Sequence, residues 1–346
     1  MRRLLKDVQL AAHLRSGDLV ALKTHFGEAG NTGFLSPLWL KPVITFCRRS
    51  GAIPFLTDTT TLYAGQRSNA ASHSLTAAEH GFDPLNLGAP VVIADGLKGG
   101  YEDAVALHGR HFTTCYLAGG ILEADALLVA SHLTGHCLAG FGGALKNIAM
   151  GCASRRGKLL QHSGIAPRIE GRRCDGCGRC IQACTTGALH RDEAGRLALE
   201  STRCICCAAC LAQCRNAALH VDWQTELPGF LERMVEYAAA VHSAFPCALY
   251  LNYLIRITPD CDCQRHADRP VCPDLGILAS YDPVALDQAS LDLIRAAPRE
   301  MDPTQTYEAA SANPFPALDP SLHIDHSLSY AQEMGIGTRR YTLKKI

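Results

Sequence analysis

The sequence predicts an α/β protein with a mainly parallel sheet, interrupted by an inserted cysteine-rich α+β module. Three observations carry this expectation. Short apolar runs alternate with helical patterns up to about residue 167, the same alternation resumes after Trp223, and eight cysteines recur at a fixed spacing between them. The expected units are 1–167 as the first part of the α/β body, 168–224 as the insertion, and 225–346 as the body's C-terminal part. The two parts of the body make either one sheet or two lobes.

The strand-like runs of the first part are LVALK at 19–23, PFLTD at 54–58, PVVIAD at 90–95 and ALLVAS at 126–131, with helices expected over about 37–50 and 69–80. After the insertion come an amphipathic stretch PGFLERMVEYAAAVHSAF, then the strand-like CALYLNYL and GILAS. In DPVALDQASLDLIRAA, Asp282 is placed to cap a helix whose first turn holds Pro283. Residues 298–322, rich in Pro, Ala and Ser, read as loop. DHSLSYAQEMGIG and TRRYTLKKI read as a final helix and strand.

Composition narrows the function. Lys plus Arg and Asp plus Glu are 33 each among 346 residues, which gives no electrostatic case for nucleic acid or an anionic membrane surface. No apolar run reaches the roughly 18 residues a spanning helix needs, and Lys6, Asp7, Gln9 and His13 break the apolar positions near the start. A cytoplasmic protein is expected. There are 17 cysteines, mostly at ligand-like spacings, so metal binding is a better reading than disulfides. Cys47, Cys115, Cys137 and Cys247 sit singly among apolar residues and read as core.

Within the insertion, Cys174, Cys177, Cys180 and Cys184 recur thirty residues later as Cys204, Cys207, Cys210 and Cys214. The flanks GALH and AALH repeat with them, as in a duplicated unit. Each half reads C-x2-C-x2-C-x3-C, and soft, charged thiolates suit iron of an iron–sulfur cluster; a pair of zinc knuckles is the alternative. The module resembles bacterial ferredoxins with two [4Fe-4S] clusters. That resemblance implies Cys174, Cys177, Cys180 and Cys214 on the first cluster, and Cys204, Cys207, Cys210 and Cys184 on the second. Thr185 and Arg215 stand where proline commonly follows the fourth cysteine. The Arg215 charge is expected to raise the potential of the first cluster. Cys206 is a spare thiol. Two such clusters form a one-electron wire, implying a redox partner protein and an anaerobic or microaerobic setting.

The stretch SHLTGHCLAGFGGALKNIAMG follows a strand, which puts a glycine-rich loop at the carboxyl edge of a parallel sheet. Gly140, Gly142 and Gly143 allow close backbone approach and Lys146 adds a positive charge, a cradle for a small anion. His132 and His136 are four apart, so a helical turn would align them for ligation, catalysis or plain hydrogen bonding. LKTHFGE places Lys23 and His25 past the first strand, with Glu28 close by, and TDTTTLYAGQR places Asp58, Tyr63 and Arg67 past another. CDCQRHADRPVC packs Cys261, Cys263 and Cys272 into twelve residues. C-x-C is tight for a disulfide, so these thiols read as a third metal site for zinc, iron or nickel, completed by histidines of the glycine-rich stretch or by His162, or as reduced thiols lining a cleft. No G-x-G-x-x-G follows a strand, so no dinucleotide is expected.

Nearly the whole chain resembles the family called domain of unknown function 362, in its ferredoxin-containing form. The matching segments are LKTHFGEAGN, PFLTDTTTLYAGQR, IADGLKG, the glycine-rich stretch, the double cysteine motif, and CDC followed by PDLGILASYDPVALDQAS. More distantly, His136, Gly140, the double glycine and Lys146 are similar to the H-x3-G-x-S-G-G-x-K segment of nickel-dependent lactate racemases. That resemblance implies Lys146 as anchor of a nickel-type cofactor, His136 as acid/base and His162 as metal ligand. The glycines here sit one position earlier, without the serine.

These readings favour an oxidoreductase passing single electrons through two [4Fe-4S] clusters to a small anionic substrate or metal in a cleft lined by His136, Lys146, His132, His25 and Lys23. The alternatives are an accessory electron-transfer partner without its own substrate, and racemase-like proton transfer on Lys146.

Overall fold

The computed structural model describes residues 1–346 apart from 64, 164–165, 205–209, 211–212, 217, 221–222, 299–318 and 320–321, and only the backbone of 223–226. Six strands form the central sheet: β1 (Leu19–Lys23), β2 (Ile53–Asp58), β3 (Val91–Ile93), β4 (Ala126–His132), β5 (Ala248–Leu254) and β6 (Gly276–Ser280). Their order is β6-β5-β4-β1-β2-β3. All neighbours are parallel except β5 and β6. Both parts of the body therefore share one sheet, because β5, from the C-terminal part, pairs with β4 from the first.

A parallel sheet covered on both faces needs strands that are apolar on both sides. The strand β5 meets this requirement: Ala248, Tyr250 and Leu254 enter one core, while Leu249, Leu251 and Tyr253 enter the other. Its polar residue Asn252 is accommodated because its amide donates to Asp287 at 2.8 Å and Ser290 at 3.0 Å. Each fully buried aliphatic or aromatic side chain contributes about 1.5–3 kcal/mol of transfer free energy.

The helices that position the site are α1 (Ala70–Glu79), α2 (Ala144–Gly151), α3 (Arg155–Gln161), α4 (Trp223–Ala244) and α5 (Pro283–Ala296). Local chemistry starts two of them: Asp282, as expected, accepts from the Ala285 N–H at 2.8 Å, and Asn69 accepts from the Ser72 N–H at 3.0 Å. The final helix forms over Ile324–Glu333. TRRYTLKKI forms no strand. Its side chains are used on the surface instead, where Tyr341 donates to Asp292 and Lys344 pairs with Asp7. The loop expected at 298–322 lies almost wholly outside the described residues.

Between α3 and α4 the cysteine-rich segment repeats its backbone with the period of its sequence. Short 3-10 turns at Gly171–Arg173 and Ser201–Arg203 each lead into a cysteine, Cys174 and Cys204, with nearly the same φ and ψ. Leu219 pairs antiparallel with Ile169 as Leu189 pairs with Leu199. Glu170 donates to the Ala218 carbonyl at 2.7 Å, and Glu200 to the Ala188 carbonyl at 2.8 Å. Cys180, Leu189, Cys210 and Leu219 form its small core.

Candidate functional site

The strand order reverses direction between β1 and β4. Ligands bind in open α/β sheets outside the carboxyl ends of the strands at such a switch point. At this edge Lys23 ends β1 and His25 follows it, while His136 and Lys146 come from the segment after β4, Lys146 on α2. Asn147, which the sequence reading did not single out, ties the two strands together. Its side chain accepts from Lys23 Nζ at 2.7 Å and donates to the Ala130 carbonyl at 3.1 Å and Ser131 Oγ at 3.0 Å.

Behind this edge lies a buried charge network. Lys23 Nζ is 3.1 Å from Asp58, and Arg67 is 3.1 Å from Glu28 and 3.7 Å from Asp58. Tyr63 donates to Glu28 at 3.0 Å and bonds to Arg67. Burial alone would raise the Asp58 carboxyl, but Lys23, His73, His25 and Arg67 hold it well below the usual carboxylate range. Lys23, expected in the catalytic set, is only 1% exposed and donates to Asn147 and the Thr24 carbonyl besides its ion pair with Asp58. It braces the site from beneath.

His25, His136 and Lys146 are half-buried, at the open side. Burial and the charges of Arg67, Lys23 and Lys146 lower the His25 pKa well below its ordinary value, despite the opposing Asp58. Burial, Lys146 and His162 do the same to His136. Burial pushes the Lys146 ammonium down to about 8. The ring geometry is equally informative. His25 Nδ1 accepts from the Gly27 N–H at 3.0 Å, and His136 Nδ1 accepts from Leu138 and Ala139 N–H at 3.2 and 3.0 Å. Backbone N–H groups only donate, so in each neutral ring the proton sits on Nε2. The open groups of the cleft are two imidazole N–H donors and one ammonium. Such a set recognises anionic oxygens.

His132 and His136 do not share a helical face. His132 ends β4, and Thr134–His136 pairs with Gly140–Gly142 as a hairpin. The glycines let the chain turn back, with Gly140 at φ +74°, so the four-residue spacing spans a strand end and a turn. Both nitrogens of His132 are committed, to Asp262 at 2.9 Å and the Ile255 carbonyl at 2.8 Å. Burial would lower its pKa, but Asp262 and the Ile255 carbonyl raise it. His132 clamps the loop after β5. Cys137, expected in the core, is exposed at the hairpin turn.

The expected anion cradle at Gly140, Gly142 and Gly143 is filled from within. Asp287, on α5, accepts the first N–H groups of α2, from Ala144 at 2.7 Å and Leu145 at 2.9 Å. A Cβ on Gly143 would lie 2.4 Å from that carboxylate. Asp287 was missed because its partners are more than 140 residues away.

Cys261 and Cys263, expected as thiolate ligands with Cys272 and His162, are joined as a disulfide. Their sulfurs lie within 4.8 Å of one another and of a His136 ring nitrogen. His136, a histidine of the glycine-rich stretch, thus stands beside the pair, whereas His162 does not join it and Cys272 is buried in the main core. The loop has folded back through the Glu28 N–H to Asp262 carbonyl bond of 3.0 Å, which carries the pair to the hairpin. His162, at the end of α3, is held down to about 4 by burial and by Arg233, Lys146 and Lys158. Its Nδ1 is buried without a hydrogen-bond partner among the described residues.

In the cysteine-rich segment, Cys174, Cys177, Cys180 and Cys214 line one small, partly open pocket. Arg179 and Arg215 lie on the same wall. Cys214 Sγ accepts from the Ala218 N–H at 3.2 Å, and Arg179 hydrogen-bonds to Cys177. Cys184, Cys204 and Cys210 are described; Cys206 and Cys207 lie outside the described residues.

A family model for a domain of unknown function, DUF362, matches residues 20–292, through both the body and the cysteine-rich segment. The chain belongs to the DUF362 family. No curated protein matches it. Among solved structures, this DUF362 chain is similar to the lactate racemase apoprotein from Thermoanaerobacterium thermosaccharolyticum. Identity is 14% and the TM-score 0.41, covering 81% of this chain and 51% of that one. It is also similar to a Thermotoga maritima protein, at 10% identity and a TM-score of 0.44, covering 85% and 57%. The DUF362 chain thus spans little more than half the length of these structures. None of its helices among the described residues is long and apolar enough to cross a membrane.

Proposed function

We propose that this chain is an iron–sulfur redox protein, an oxidoreductase that couples two [4Fe-4S] clusters in a ferredoxin-like insertion to a small anionic substrate in the cleft between β1 and β4. The observation that carries the reading is the lining of one cavity by Cys174, Cys177, Cys180 and Cys214. Three of these come from one repeat and the fourth from the other, the ligand set of a two-cluster ferredoxin. The N–H···S bond to Cys214 fits a thiolate ligand, since such bonds tune cluster potential. By the thirty-residue repeat, Cys204, Cys207, Cys210 and Cys184 hold the second cluster. When bound, the clusters supply single electrons.

The body's residues do the rest. Lys146 and the Nε2–H groups of His25 and His136 bind and orient the anion, while Lys23, Asp58, Asn147 and Arg67 hold the edge rigid. A redox protein partner exchanges electrons with the insertion.

A second reading has one observation in its favour. His162 keeps an unbonded buried Nδ1, and its charge coupling with Lys146 and His136 puts the three expected racemase-type residues close together. A nickel-type cofactor on Lys146 would fit there and would supply Lewis-acid chemistry. Against it stands His136, whose Nδ1 is occupied and whose Nε2 bears the proton, so the neutral ring has no lone pair free to act as base.

Metal and sulfide analysis of anaerobically purified protein separates the readings. About eight irons per chain, halved in Cys214→Ser, is the expected result. Stoichiometric nickel bound to a Lys146 adduct, or zinc in place of iron, would sink the redox proposal.

A further inference from the structure

We propose that Cys261 and Cys263 are a redox-active dithiol–disulfide pair serving the cleft. Four observations lead there, and none involves the clusters. The first is how little the bond does for the fold. A cross-link stabilises by restricting the unfolded chain, and this one joins residues two apart, which restricts it least.

The second is its seat. The pair lies on the loop beyond β5, at the carboxyl edge of the sheet. Asp262, between the two cysteines, is held by His132 through its carboxylate and by the Glu28 N–H through its carbonyl. The third is access: Cys263 is half-buried whereas Cys261 is 8% exposed, so one sulfur is open to attack and its partner is sheltered.

The fourth concerns His136, a ring nitrogen of which lies within 4.8 Å of both sulfurs. Three such side chains also resemble a metal site, but the hydrogen bonding has the wrong polarity for one. A ligating imidazole donates its other N–H to an acceptor. His136 instead accepts two backbone N–H bonds at Nδ1, leaving Nε2–H as the group able to donate. Donation from that N–H, together with the nearby Lys146 cation, favours a thiolate leaving group.

The reaction is exchange with a dithiol reductant. A reductant thiolate attacks Cys263 Sγ, the Cys261–Cys263 bond breaks, and Cys261 leaves as thiolate. The reductant's second thiol then closes its own disulfide and releases Cys263. Two electrons and two protons pass from the reductant to the pair.

The test uses the full-length folded protein under anaerobic conditions, equilibrated at graded ratios of reduced to oxidised dithiothreitol, alkylated and mapped by mass spectrometry. The peptide holding both cysteines should gain two adducts in a single transition and lose both when the ratio is reversed. His136→Phe should slow the opening about tenfold, the scale of one hydrogen bond to a charged group. A pair that opens only on denaturation, or that does not close again, would overturn the proposal. So would stoichiometric zinc held by the reduced pair when zinc is the probe. The wild-type titration decides the matter even where the histidine variant fails to fold.

Discussion

In the α/β body, Lys23, Asp58 and Arg67 are each under 4% exposed and answer one another within the protein. In the cysteine-rich segment, Cys174, Cys184, Cys204 and Cys214 are half-buried, Cys177 is exposed, and among the described residues four buried ones form the core. The body's charges are thus neutralised by its own side chains, and its apolar layers on both sheet faces suffice to hold it. A unit of this size with so small a core normally needs a metal. In each region some polar groups stand apart from this internal pairing: His25, His136 and Lys146 at the cleft, and the cysteines that line the cavity.

Removing iron with a chelator under reducing conditions should break the comparison open. The segment 168–220 is expected to lose its amide protection entirely while β1, β2, β4 and β5 keep theirs, measured by hydrogen exchange. Equal loss in both regions would mean that the insertion is part of the body's cooperative unit.

Next in size, Asp58→Ala leaves Lys23 buried beside Asn147 without its carboxylate. A loss of about 3–5 kcal/mol in denaturant unfolding is expected, with iron content unchanged. The sign with pH follows from the depressed carboxyl of Asp58. Its contribution is complete above the unfolded value of 3.8 and lost as pH falls through the lower folded value. The variant should therefore differ from wild type at neutral pH and converge with it in strong acid. A constant difference across that range would show the ion pair to be idle.

The smallest effect sharpens the other side. Arg215 lines the cavity beside Cys214, so Arg215→Pro should lower the potential of one cluster by an amount on the order of tens of millivolts and leave the second in place. A redox titration showing no shift would remove Arg215 from the tuning of that cluster.

Much of the fold was legible because it depends on local signals. The apolar runs became strands, and Asp282 capped its helix as its position implied. The site was legible only in part. Lys23, His25, His136 and Lys146 do gather at one edge, since strand-to-loop junctions in parallel sheets converge there. The roles of His132, Asn147 and Asp287 depended on partners distant in the chain, which no spacing encodes. The Cys261–Cys263 bond was passed over because adjacency seemed to forbid it, and the hairpin at 134–142 because a four-residue spacing fits more than one backbone. The last strand did not form, and its residues Tyr341 and Lys344 reach Asp292 and Asp7 on the surface instead.

Asp287 on the N-terminus of α2 has a consequence for biosynthesis. The ribosome releases the cleft's own residues early and the cysteine repeats next, while β5 and α5 follow them. Until residue 287 emerges, the first N–H groups of α2 have no carboxylate and β4 lacks its β5 neighbour. The cysteine repeats therefore emerge before the groups that complete the cleft, so the order of synthesis puts the insertion ahead of the finished site.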